Sequence, residues 1–485
     1  MSEKFKSSIE LEVARSYPTQ RLSLYSYKPV DPYGVKGYIP NPLPADLPPG
    51  WVRGFDPTNL PPTPDVILEI VRPLSAGKKK RAQLTVCKTL QHLRSHDSNV
   101  HGPRKGGIWP ELIVCKSFDA VFFPPFPGCA DKMAKKALSR ENGAYRHLYA
   151  KNFTGFPQIT PEFYGSDVAV FDLGLDGKKQ RVYRCASVIL MEYVDGLSIE
   201  ALCRRRSETR DLIPRKMTQV FHQNTNGQRI SLSLHKGTRQ EILRQLIEGG
   251  IGYLHQGMEL GDVDPDQALI TMRHGQFDLI EPRLVILDYT NTHVYCMTKT
   301  GKTNPRHPIT DCQKLPNPMH PSELFNVEFF TQWLGWWPSS YCYKTQSEDE
   351  DMEIEYARNS NGDIVKDEDG RFLMRNEVEF EDWMLKVWGP RKEGRYSVEE
   401  TLDRILIDEE KKDKEIFLAT EPEAAAEADA LMLALGLRKP KSDVGAENKT
   451  SAEADETGQA APETPRVDRP GEGDSDQDGQ RSEEA

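Results

Sequence analysis

Apolar positions along this chain change their spacing in a way that marks out elements. VILEIVRPL (66–74) and RAQLTVCKTL (81–90) are short apolar runs with β-branched content. The polar turn SAGKKK lies between them, and the pattern predicts an antiparallel hairpin. ELIVCKSFDAVFF (111–123) predicts a third strand. ADKMAKKALSRENGAYRHLYA (130–150) places Met133, Ala137, Leu138, Ala144 and Leu148 at helical spacing. RVYRCASVILMEYV (181–194) reads as a long buried strand. RQEILRQLIEGGIGYLHQG (239–257) is an amphipathic helix with Ile242, Leu243, Leu246, Ile247, Ile251 and Leu254 on one face. QALIT (267–271) and RLVILDYT (283–290) are two further short strands. A β-rich part followed by a mainly helical part is expected, and no internal repeat is visible.

The flanks differ. Residues 1–65 are rich in Pro and Tyr, which favours extended, polyproline-like backbone. Such a stretch is a linker or an arm laid over the body, and Tyr25, Tyr27, Tyr33, Tyr38 and Trp51 favour an arm that packs. The aromatic-dense stretch 315–343 is expected in the core of the helical part. SEDEDMEIE (347–355) reads as an acidic loop, and Asp369-Gly370 as a hairpin turn, within an insertion near 345–372. Residues 397–419 predict a charged amphipathic helix capped by Ser397 with Glu400 as its reciprocal partner.

Composition sharpens this. The 485 residues are 37% hydrophobic, low enough that part of the chain is expected to lack a core. The net charge of −11 is concentrated at the end. Residues 441–485 carry 13 acidic and 5 basic residues and no aromatic, which predicts a disordered acidic tail over 421–485. No apolar run reaches the ~18 residues of a membrane span, and the start MSEKFKSSIELEV lacks the apolar stretch of a secretory leader. Cysteines 87, 115, 129, 185, 203, 296, 312 and 342 form no CxxC pair, so free thiols in a reducing compartment are expected. The expectation is an intracellular protein, cytoplasmic or nuclear, with no membrane partner. The acidic balance argues against a nucleic-acid partner.

The candidate chemistry lies in GYLHQGMELGDVDPDQALITMRHGQFDLIEPRLVILDYTNTHV (252–294). One carboxylate, Asp262, falls in a loop after a helix. Another, Asp288, ends an apolar strand, a poor place for an idle charge. Phosphoryl transfer needs such a pair, one carboxylate to orient the acceptor hydroxyl and one to hold Mg²⁺ on the phosphates.

On these residues the chain resembles the protein-kinase-like superfamily, in its divergent members abundant in filamentous fungi. Leu260-Gly261-Asp262-Val263-Asp264-Pro265-Asp266-Gln267 is similar to the catalytic loop, and Asp288-Tyr289-Thr290 to the metal-binding loop. SVILMEYVDG (187–196) resembles the adenine-holding hinge, with Met191 as gatekeeper and Glu192, Tyr193 and Val194 as the hinge. Lys116 of ELIVCKSFD is the counterpart of the phosphate-pairing lysine, and Glu141 that of its ion-pair partner. Val-Cys-Lys also occurs at 86–88, so Lys88 competes for the role.

The resemblance implies a two-lobed α+β fold: an arm (1–65), a β-rich N-lobe (66–194), a larger helical C-lobe (195–420) and the tail. It implies ATP and Mg²⁺ as cofactors. Asp262 and Lys116 would be catalytic, and Asp288 and Gln267 would hold the metal. The acceptor hydroxyl would belong to a protein Ser/Thr or to a small molecule. The departures are also specific. The glycine-rich loop is absent, Leu260 stands for the usual histidine, Gly261 for arginine, Gln267 for asparagine, and Tyr289-Thr290 for Phe-Gly. They leave open a pseudokinase that scaffolds partners.

Overall fold

In a computed structural model the described residues run from 17 to 390, except 18–19, 35–36, 41–51, 53–54, 77–80, 94–108, 124–129, 176, 178, 225, 262, 304–317, 341, 344–352 and 368. All of them lie in one unit, residues 1–416. The expected helix at 397–419, the tail, Trp51 and Asp262 fall outside the described residues.

Six strands close into an antiparallel barrel. They are β1 (Arg21–Ser26), β2 (Val66–Ser75), β3 (Gln83–His92), β4 (Leu112–Phe118), β5 (Phe163–Leu175) and β6 (Arg181–Glu192), in the order β1-β2-β3-β4-β6-β5. The predicted hairpin is β2–β3, with Glu69 opposite Lys88. Closure comes from β1, which pairs with β2 on one side and with β5 on the other. A full ring leaves no open edge to satisfy. The segment expected as an arm therefore contributes a barrel strand, and buried Leu22 and Leu24 explain why.

Helix α1 (Ala130–Ala150) crosses from β4 to β5. Ala134, Leu138, Glu141, Tyr145 and Leu148 form its buried stripe. This is the i, i+4, i+7 spacing of a core-facing helix, with one carboxylate in the middle. Helix α2 (Lys236–His255) buries Ile242, Leu243, Leu246, Ile247 and Leu254. Between β6 and α2 the chain makes β7 (Gly196–Ser198) and two hairpins, β8 (Cys203–Arg205) with β9 (Leu212–Pro214) and β10 (Gln219–Gln223) with β11 (Arg229–Leu232). After α2 come β12 (Met258–Glu259), β13 (Ala268–His274), β14 (Phe277–Ile286) and β15 (His293–Val294). β13 pairs with β14 and β7, and β12 pairs with β15.

The expected α+β fold, two-lobed and protein-kinase-like with a larger helical C-lobe, is corrected here. The described residues are mostly β around a closed barrel. Their four α-helices have only 21, 20, 5 and 14 residues, the last two being α3 (Lys299–Thr303) and α4 (Arg375–Trp388). The physical reason is local. Residues 196–232 carry short apolar runs broken by turn residues, and they fold as hairpins. The aromatic stretch expected in a helical core makes 3₁₀ turns at Pro321–Glu323 and Val327–Trp333, because Pro, Gly and β-branched residues interrupt it. Phe325, Phe330, Trp333, Trp336 and Trp337 are nonetheless buried, Phe330, Trp333 and Trp336 almost completely.

Two cores result. One fills the barrel, with Leu24, Leu68, Cys87, Ile113, Cys115 and Leu190. The other joins the outer face of β4 and β6 to α1, α2, β13–β14 and the aromatic stretch. Strand β4 is covered on both faces, so its burial is nearly continuous instead of alternating. Cys87, Cys115, Cys185 and Cys203 are free, and Cys296 Sγ lies 3.8 Å from His147 Nδ1. Among the described residues no helix is long and apolar enough to cross a membrane.

Candidate phosphate and metal site

Lys116 projects from β4 towards the second core, because successive side chains of a strand face opposite sides. Its neighbours Cys115 and Ile113 face the barrel interior. Lys116 is 5% exposed, and its Nζ donates to Glu141 Oε1 at 2.6 Å. Glu141 is fully buried in the stripe of α1. Asp288 Oδ1 lies 3.8 Å from Lys116 Nζ, and the Asp288 side chain is 32% exposed. Lys88, by contrast, is half exposed and meets Glu111 at 3.2 Å on the surface. Burial thus separates the two Val-Cys-Lys segments, and Lys116 is the one inside the cluster.

Thr290 ties the carboxylates together. Its hydroxyl lies 2.6 Å from Asp288 Oδ1 and 3.1 Å from Glu141 Oε2, and its backbone N–H donates to Asp288 Oδ1 at 2.8 Å. The signal was present in Asp-x-Thr, where a carboxylate can accept from the backbone and hydroxyl two residues on. In the sequence alone Thr290 reads only as the residue standing in place of a glycine.

The electrostatics follow from this geometry. Burial pushes the Glu141 carboxyl up to about 7 against the opposing pull of Lys116, and Asp288 adds to the rise. Burial also works against ionised Asp288, but Lys116 and the Thr290 hydrogen bonds outweigh it and hold that carboxyl below its ordinary value. Burial disfavours the Lys116 ammonium, yet Asp288 and Glu141 together raise its pKa. Arg140, one position before Glu141, adds positive charge near both carboxylates and was missed at the sequence level.

Gln267 Nε2 lies 3.4 Å from Asp288 Oδ2, and the Leu287 N–H donates to Gln267 O at 3.0 Å. Asp264, Gln267, Asp288 and Asn291 line a cleft of about 310 Å³, closed on one side by Phe329, Thr331 and Gln332. Its walls are mostly carboxylate and amide groups, the oxygen donors that suit a hard cation such as Mg²⁺. Among the described residues no three His, Cys, Asp or Glu side chains gather as a ready metal cage. Mg²⁺ does not require one, since it keeps waters and takes one or two carboxylates together with substrate phosphates.

The sequence departures acquire physical reasons. A Cβ on Gly261 would sit 2.2 Å from the Asn291 carbonyl oxygen, so only glycine lets the two loops approach this closely. The Val263 carbonyl accepts from Trp333 Nε1 at 2.7 Å, which fixes the far side of the same loop. Tyr289 is fully buried, and its hydroxyl joins those of Tyr253 (2.9 Å) and, through it, Thr160 (2.6 Å). A tyrosine is tolerated there because its hydroxyl is satisfied.

The residues expected at the hinge are less uniform. Met191 is fully buried opposite Val114, with the Tyr145 hydroxyl 3.6 Å from its sulfur. Val194 is buried. Tyr193 accepts a hydrogen bond from Arg72 Nη2 at 2.9 Å. The Glu192 carboxylate is engaged elsewhere, with Arg283 Nη1 at 2.9 Å and the Glu162 N–H at 3.0 Å. Lys116, Glu141, Asp288 and Gln267 are therefore brought together, while the Glu192 side chain is committed to another ion pair. Compared with family models and with curated proteins, the sequence matches none.

Proposed function

We propose that the protein is an ATP-dependent phosphotransferase that delivers a phosphoryl group to a hydroxyl, with a protein Ser/Thr favoured as acceptor. The observation that carries this reading is the Lys116–Glu141–Asp288 cluster beside an oxygen-lined cleft. The reading rests on this site and not on the overall architecture, since chemistry is a property of sites and not of folds. Mg²⁺–ATP, when bound, supplies the transferable group and the charge that neutralises it. Lys116 would hold phosphate oxygens, and Glu141 keeps that ammonium in place. Asp288, and Gln267 through its amide oxygen, would hold the metal. Asp262 would accept or orient the proton of the attacking hydroxyl.

One observation favours a second reading, a binding scaffold without transfer. Thr290 already gives Asp288 Oδ1 two hydrogen bonds, so that oxygen is satisfied with no cation present. Calorimetric titration of the full chain with ATP, with and without Mg²⁺, separates the two. Phosphotransfer requires metal-dependent binding that Lys116→Met weakens at least about tenfold and whose Mg²⁺ dependence Asp288→Asn removes. Binding that ignores Mg²⁺ supports the scaffold, and no binding at millimolar ATP removes the phosphotransferase reading.

A further inference from the structure

The stretch between β1 and β2 does more than lead into the barrel. It turns back on itself, with Tyr33 bridged to Ile39 and the Gly34 N–H donating to Ile39 O at 2.9 Å. Tyr38, beside the bridged Ile39, is 4% exposed. Its hydroxyl accepts from the Val294 N–H at 2.7 Å and donates to the Thr292 carbonyl at 3.3 Å. Its ring meets His293 edge-on, with centroids 5.6 Å apart. The adjacent Gly37 carbonyl accepts from the Lys299 N–H at 2.9 Å, so α3 is held by the same loop.

These bonds fall on the segment that leaves the metal-binding loop. Thr292 is four residues beyond Asp288, and Val294 pairs with Met258 just before the loop that contains Gly261. The strap also touches the helix of Glu141. A Cβ on Gly143 would lie 2.3 Å from Pro32 Cγ and 3.5 Å from Met297 Sδ, so strap and metal-loop segment meet on the outer side of α1. The proline ring is stiff and cannot swing away from such a contact. One loop therefore grips both elements that carry the site's carboxylates.

We propose that Tyr38 is a positioning residue, which holds the Asp288 loop and α1 in register so that Asp288, Thr290 and Glu141 meet. The proposal rests on the phosphotransferase reading for its consequence, and on the Tyr38 hydrogen bonds and the Pro32–Gly143 contact for its mechanics.

The test uses the full chain with Tyr38→Phe, which keeps the ring and removes both hydrogen bonds, and Gly143→Ala, which displaces Pro32. Two readouts are taken: amide hydrogen exchange and calorimetric ATP affinity with and without Mg²⁺. Leaving the Val294 N–H unpaired should speed exchange over 290–297 about tenfold. The Mg²⁺-dependent part of the affinity should fall about threefold to tenfold, with Mg²⁺-free binding unchanged. Gly143→Ala should reproduce both effects from the other side of the strap. Unchanged exchange over 290–297 in Tyr38→Phe overturns the proposal. So does faster exchange with an unaltered Mg²⁺ dependence, since the strap would then brace the fold without positioning the site. Wild-type chain that shows no Mg²⁺-dependent binding removes the phosphotransferase reading first, and the positioning role with it. That failure is seen before any variant is made.

Discussion

Two buried ion pairs flank β6, and they are built on opposite principles. Arg283–Glu192 is saturated. The guanidinium reaches both carboxylate oxygens (2.9 and 3.3 Å) and the carbonyls of Gln158 and Thr160, while Glu192 also accepts from the Glu162 N–H. Burial opposes its ionisation, but the His274 and Arg283 interactions and the Glu162 N–H outweigh it and pull the Glu192 carboxyl down to about 2. Lys116–Glu141 is shared: each Glu141 oxygen has one partner, Lys116 Nζ and the Thr290 hydroxyl. One ammonium serves two carboxylates, and burial pushes Glu141 up to about 7. A saturated pair is a brace. In the other, a carboxylate pushed up to about 7 stands next to a second one partly open to a cleft. Strongly perturbed buried acids of this kind concentrate at functional sites.

The comparison can be broken most severely at the brace. Glu192→Gln leaves Arg283 as an under-compensated buried charge, and a loss of about 3–5 kcal/mol in urea unfolding is expected. A loss no greater than that of Glu141→Gln would undo the distinction. Next in size is the loss of function at the cluster. Lys116→Met should weaken ATP binding by at least about tenfold, roughly 1.4 kcal/mol, in calorimetry. Asp288→Asn should remove the Mg²⁺ dependence while leaving the fold intact by near-UV circular dichroism.

A pH series sharpens the contrast further. Between the ordinary glutamate value of about 4.5 and about 7 the folded chain keeps a proton on Glu141 that the unfolded chain has released. The contribution of Glu141 to stability is therefore lost as pH rises through that window. Glu192 behaves in the opposite sense: its contribution is present above about 4.5 and disappears as pH falls towards 2. Glu141→Gln should flatten the difference in urea midpoint between pH 5 and pH 8, and Glu192→Gln should leave that difference in place. An Glu141→Gln chain with the wild-type pH slope would show that this carboxyl is ionised throughout. The smallest effect belongs to the exposed pair Lys88–Glu111, at 3.2 Å on the surface. Glu111→Gln should shift the midpoint by no more than about 0.5 kcal/mol, as solvent-screened pairs do.

Much of the secondary structure could be read from residue patterns. The β2–β3 hairpin, β4, α1, β6 and α2 coincide closely with apolar runs or helical periodicity. Strands β1 and β5 were not legible. β1 sits in a Pro/Tyr-rich stretch whose composition resembles a linker, and only its pairing with two neighbours makes it a strand. The helical second half was expected from the order of apolar patterns as well as from family likeness, and it failed where Pro, Gly and short apolar runs favour turns and hairpins. At the site, Lys116 and Asp288 stood out as charges in apolar strands. Glu141 had a signal that passed unread, its place in the 134-138-141-145-148 stripe.

The sequence by itself determined which segments could be strands or helices, and which charges would have to be buried, because both depend on spacing within one segment. Tertiary structure alone decided the closure of the barrel, the choice of Lys116 over Lys88, the role of Thr290, and the grip of Tyr38 on a segment more than 250 positions away. Each of these depends on which distant groups share a few ångströms of low-dielectric space. That is fixed by packing and strand pairing, and no local pattern encodes it.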